Sequence, residues 1–175
     1  MSTPTSPPAH TPSSLPAKHP RTPLAGPYGH PFHPILVTVP IGTWLASLVF
    51  DIAARVSDDS SAFATGSLWL IGIGLVGALL AALFGALDLT TIPSGTRAFL
   101  TGVTHMALNL AVTALFALGF VIRLEQGTDS VGAFPMVLSV LALILLGASG
   151  WLGGLLSYHY GVRVADERTQ ADGFR

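Results

Sequence analysis

The chain has 175 residues, 50% hydrophobic and only 10% charged, with a mean hydropathy of +0.63. A soluble domain carries about 25% charged residues, so an ordinary soluble fold is excluded. The absence of Cys excludes disulfides, thiolate metal and iron–sulfur sites, covalent c-type haem and thiol nucleophiles. A net charge of −1, with eight scattered Lys and Arg, leaves no basic surface for nucleic acid.

Residues 1–25 hold seven of the 13 prolines among many Ser and Thr and contain no apolar run of signal-peptide type. Such a composition cannot bury enough apolar surface to offset the entropy of ordering. The expectation is a disordered tail reaching to residue 28, with His10 and His19 as solvated bystanders. Four apolar stretches follow, at about 35–54, 68–89, 99–122 and 134–158, each near the ~30 Å that a membrane-crossing helix covers. The connections are short, with Asp58 and Asp59 in the first, Pro93-Ser94-Gly95 in the second, and Gly127 and Gly132 in the third. Short connections make neighbours antiparallel. The expected fold is therefore all-α, an integral membrane four-helix up-down-up-down bundle over residues 29–164, followed by a flexible polar tail, 165–175. No internal repeat stands out.

Lys18, Arg21, Arg97, Arg163, Arg168 and Arg175 fall on one side of this topology, and Arg55 and Arg123 on the other. Cytoplasmic loops retain positive charge, so both termini are expected in the cytoplasm. Gly77, Ala81 and Gly85 on the second span, and Gly150 and Gly154 on the fourth, recur every four residues and read as helix-packing stripes. Pro40 is expected to bend the first span.

Ionisable groups at membrane depth are costly and normally face the bundle interior. His30, His33, Asp88, His105 and His159 all gather toward the cytoplasmic end. His105 is set roughly 12 Å deeper than Arg97, eight residues earlier. Thr101, His105, Asn109 and Thr113 form one polar helix face. Imidazole is a favoured ligand of iron, copper and zinc, which makes His30, His33, His105 and His159, with Asp88, candidate metal ligands. The plainer alternative is interhelical hydrogen bonding. His30-Pro31-Phe32-His33-Pro34 reads as an extended ribbon, because each His precedes a proline. Asp88 is expected to pair with Arg97, and Asp51 with Arg55. Trp69 suits the interface, while Trp44 and Trp151 are expected to pack in the bundle, where Trp151 and Asn109 could line a cofactor.

The segments GHPFHPILVTVPIG and SGWLGGLLSYHYGVRV, with Asp88 and the His105-x-x-x-Asn109 pair between them, resemble a bacterial family of four-helix membrane proteins of unknown function. That family starts with G-H-P-x-H-P and ends with W-L-G-G-x-x-x-Y-x-H-G-V. The resemblance covers Gly29 to Val164 and takes in His30, His33, Asp88, His105, Asn109, Trp151, Gly153, Gly154, Tyr158 and His159. It implies a place in the bacterial inner membrane. Some relatives carry a Rieske-type ferredoxin domain, and the bundle is similar to small cytochrome b-type proteins, which implies a ferredoxin-type or other redox partner.

Three functions follow as expectations. The first is an electron-transfer component, not a stand-alone enzyme, holding b-type haem between two of His33, His105 and His159, with His30 or Asp88 beside the propionates or behind the ligands. The second is a transition-metal or proton-handling permease or accessory, which would need a homo-oligomer to enclose a path. The third is a structural subunit with no cofactor. No nucleophile with a paired base, phosphate loop or carboxylate dyad supports a hydrolase or transferase.

Overall fold

The structure, a computed structural model, describes residues 15–175, and its regular segments are helical. A short helix, α1 (Leu15–Lys18), and a 3-10 turn, Pro23–Ala25, precede the first crossing. That crossing begins as α2 (His33–Leu36) and continues as α3 (Thr38–Val56). The two part at Val37 because Pro40 has no N–H to offer the Leu36 carbonyl four residues back. The other crossings are α4 (Ser60–Leu89), α5 (Arg97–Gln126) and α6 (Ala133–Gly154), the last prolonged by a π turn, Leu155–His159. A final helix, α7 (Glu167–Asp172), closes the chain.

All four crossings are long and apolar enough to span a bilayer, as the sequence predicts. Their ends are set by polar caps that hydropathy alone does not register. Asp59 accepts the Ala62 N–H and starts α4 at Ser60, ahead of the apolar stretch at 68. Thr96 accepts the Phe99 N–H at the start of α5, and Gly127, at φ +79°, ends it.

The first and second crossings pack along each other, as do the third and fourth, and the two hairpins form an internal repeat that the sequence conceals. His33 faces His105, Trp44 stacks on Phe116 and Asp51 pairs with Arg123. Each partner lies 72 residues further on (105 less 33, 116 less 44, 123 less 51). The second helix of each hairpin repeats as well. Ala81 and Ser149 offer carbonyls to the two His rings, and Gly85 and Gly153, four residues beyond, back those rings. Such pairing is what two like hairpins facing across a twofold axis along the bundle produce. Two of the three axial pairs join unlike residues, which hides the repeat from the sequence.

Trp44 and Phe116 stack at 4.2 Å, 12° from parallel, and with Ile71, Val112 and Ala142 form an apolar plug midway along the bundle. On the far side of the plug, Arg123 Nη2 lies 2.6 Å from Asp51 Oδ2, with Ser67 donating to the same carboxylate and Ser139 Oγ 3.3 Å from Nη2. The expected Asp51–Arg55 pair does not form. Arg55 sits at the helix end and donates to the Val131 carbonyl, whereas α5 carries Arg123 into the interior beside Asp51.

At the near end the segment before the first crossing meets the segment after the fourth. The Arg163 N–H donates to the Ala17 carbonyl, and its Nη2 to the carbonyls of Ala25 and Gly26. The Tyr28 hydroxyl donates to Asp166 and accepts the Asp166 N–H. Ala17, Ile92 and Val162 are buried together, and His19 stacks on Tyr28 at 4.5 Å. Residues 15–28, assigned by composition to the tail, are thus held by the segment after the fourth crossing, which a local composition window does not see. His10 and the rest of the tail expectation lie outside the described residues.

Candidate functional site

Between the Trp44–Phe116 plug and these joined flanking segments, all four crossings surround a cavity of about 420 Å³. Its wall is mostly apolar or small, and His33, Asp88, His105, Asn109, Thr113 and Arg163 supply much of its polarity. Gly150 and Gly154 line it with nothing within 4 Å of where a Cβ would stand, so they open space here and do not seam helices together, as their spacing suggests.

The two imidazoles are held alike. His33 Nδ1 lies 2.8 Å from the Ala81 carbonyl oxygen, and His105 Nδ1 lies 2.8 Å from the Ser149 carbonyl oxygen. A carbonyl can only accept, so each Nδ1 carries the proton and each Nε2 keeps its lone pair in the neutral ring. His33 Nε2 has no hydrogen-bond partner among the described residues, while His105 Nε2 accepts from Asn109 at 3.1 Å. Asn109 Nδ2 also donates to the His105 carbonyl at 3.0 Å, and the Ser149 hydroxyl sits 3.0 Å from His105 Nδ1. The ring centroids are 6.3 Å apart, with planes 88° from parallel.

The sequence set His105 well below the mouth, yet the structure brings it level with His33. The third crossing starts at Arg97, eight residues before its His, whereas the first starts on His33 itself. His33 is helical, not part of an extended ribbon. Proline is favoured in the first turn of a helix, and packing on Gly85 with the Ala81 bond fixes the ring there.

The remaining candidates divide. Asp88 and Asn109 line the cavity with the two His. Asp88 pairs with Arg163 at 2.9 Å and not with Arg97, because the segment after the π turn folds back over the end of α4. His30 and His159 are exposed and outside the cavity wall, His159 resting edge-on against Tyr160. The ending motif W-L-G-G-x-x-x-Y-x-H-G-V in fact sets its His on Tyr160, one position later. Trp151 is 74% exposed and does not pack in the bundle, since the helix turn that buries Ser149 points it outward, whereas Trp44 is buried and Trp69 exposed as expected. Thr113 reaches the cavity, but Thr101 bonds back to the Arg97 carbonyl.

Sequence reasoning missed Arg163, counted only as a topological charge, and the Ser149, Gly85 and Gly153 supports of the rings. The signal for Arg163 was its place just beyond the fourth span in a chain with so few charges. Among the described residues no group of three or more His, Asp or Glu comes together as a metal cage.

Residues 29–166 match the sequence model of a family described as "Predicted membrane protein (DUF2231)". Comparison with curated proteins and with solved structures finds no match.

Proposed function

The chain belongs to the DUF2231 family of predicted membrane proteins, and from that premise we propose that it is a b-type haem protein that carries electrons at the cytoplasmic side of a bacterial inner membrane. The observation that carries this reading is the pair of oriented imidazoles, with centroids 6.3 Å apart. Both rings stand on the cavity wall with Nδ1 committed to a backbone carbonyl, so His33 and His105 would be the residues to hold the group.

The donor set favours haem over a bare ion. His33 and His105 alone would suffice to hold haem iron, whereas structural zinc draws on four protein ligands. Bound haem supplies one-electron exchange between ferric and ferrous iron. The chain's own part is to hold His33 and His105 by their Nδ1 protons, to yield His105 Nε2 from Asn109, and to close the inner wall with the Trp44–Phe116 plug. An outside redox partner, ferredoxin-type or other, exchanges the electron at the end where the two flanking segments meet. The Lys and Arg excess there supports a cytoplasmic orientation.

Protein extracted from membranes of haem-replete cells should show a Soret band and sharpened visible bands on reduction. Exchanging either His33 or His105 for Ala should abolish or shift them, and the same change at His30 or His159 should not. A colourless preparation would refute the proposal.

A further inference from the structure

Arg163 is the only non-glycine residue with positive φ among the described residues, at +60°, and such outliers persist where the surroundings over-determine them. Its backbone N–H donates to Ala17, Nη2 donates to Ala25 and Gly26, and Nε lies 2.9 Å from Asp88 Oδ1. The side chain is only 4% exposed, and Nε and Nη1 are both buried without a hydrogen-bond partner, as is Asp88 Oδ1, so the Asp88 contact is an ion pair alone. A guanidinium donor left unmatched in such a place is unfavourable unless something else meets it.

The residue lines the cavity with Asp88. Asp88 comes three residues after Gly85, which backs the His33 ring, so the guanidinium stands about one helical turn, ~5 Å along the axis, outward of the imidazoles. It is not the only cation at this rim. Lys18 Nζ lies against Gly161, and Arg21 Nη1 reaches toward the Thr90 carbonyl. A ligand held at the two His by its centre, and carrying an acidic group on one edge, would present that group to Arg163.

We propose that Arg163 is an anion anchor for the cavity's ligand: its guanidinium receives a carboxylate, which for b-type haem is a propionate, and so fixes which edge of the ligand faces the cytoplasmic mouth. This rests on the haem reading of the cavity. Asp88 then acts as a competitor that holds the guanidinium in place through Nε while lowering its pull on the incoming acid. A purely structural ion pair would instead make the two residues equivalent, with loss of either harming the fold alike.

The test is an absorbance titration of haem-free, full-length protein in detergent with two probes, haemin and haemin dimethyl ester, which share iron and ring but not acidity. Wild-type protein should bind the acid about tenfold or more tightly than the ester, the usual scale for one charge-assisted hydrogen bond. Arg163→Gln should erase that preference while the six-coordinate spectrum persists, and Asp88→Asn should enlarge it. Equal wild-type affinity for both probes overturns the anchor and leaves the haem reading standing. Binding of neither probe overturns the haem reading and the anchor with it. If Arg163→Gln does not fold, the decision passes to Asp88→Asn: a preference that fails to rise overturns the anchor.

Discussion

At Gly85 a Cβ atom would stand 2.9 Å from His33 Cε1 and 3.0 Å from Nδ1, and at Gly153 one would stand 3.2 Å from His105 Cε1. Each ring is gripped between a carbonyl on one side and a bare backbone on the other, so a methyl group must push the imidazole off its hydrogen bond. Gly85→Ala should therefore destabilise the protein by about 1–3 kcal/mol, as overpacking does. Gly150→Ala, with nothing within 4 Å, should shift stability by no more than about 0.5 kcal/mol. Thermal unfolding of the two variants in one detergent checks the contrast, and an equal loss in both would contradict it. The spacing of Gly77, Ala81 and Gly85 in the sequence marked a close approach without saying what approaches. Only the fold shows that at Gly85 it is an imidazole.

At the level of helices, the sequence told most where hydrophobicity decides and least where a distant segment decides. The four crossings and their antiparallel order follow from apolar length and short connections. The first two turns of α4 do not, because Ser60, Ser61 and Ser67 read as loop until Asp59 caps them and Gly66 packs on Phe50. His33 and His105 were legible as candidates, since buried imidazoles are costly. Their shared depth was not, because it depends on where each helix starts. The junction of the two flanking segments was invisible for a similar reason: Ala17, Tyr28, Val162 and Asp166 find each other across almost the whole chain. Asp166, outside the crossings, tests that junction. The Thr169 N–H, and after it the Tyr28 hydroxyl, hold its carboxyl below the ordinary carboxylate range. A depressed value means the contribution is fully present above the unfolded pKa and is lost as pH falls through the folded one. The NMR shifts of the Thr169 amide and the Tyr28 ring should therefore titrate together, with a midpoint below the ordinary value of about 3.9. They should lose that step in Asp166→Asn. Independent midpoints for the two signals would mean the flanking segments are not joined through this carboxylate.

For the molecule as a whole, the two hairpins are tied across the axis by the imidazoles, the stacked rings and the Asp51–Arg123 pair. The last is buried on both sides, with Asp51 at 0% and Arg123 at 5% exposure. Removing one member of such a pair leaves an uncompensated charge, so Asp51→Asn should cost about 3–5 kcal/mol, while replacing both by apolar residues of like volume should return much of the loss. Unfolding of Asp51→Asn and of the double variant Asp51→Leu with Arg123→Met measures this, and a double variant as weak as the single one would refute it. The same pair bears on how the protein enters the bilayer. Synthesis delivers α3 well before α5, so Asp51 reaches the membrane while its guanidinium is still 72 residues away in a nascent chain (123 less 51). An acidic side chain at membrane depth costs about 2.5–3.5 kcal/mol on insertion scales. The first hairpin is thus an incomplete unit, biased to stay at the insertion machinery or near the interface until the second arrives. Insertion of this bundle is in that sense a single event shared by both halves, with Arg123 as its closing step.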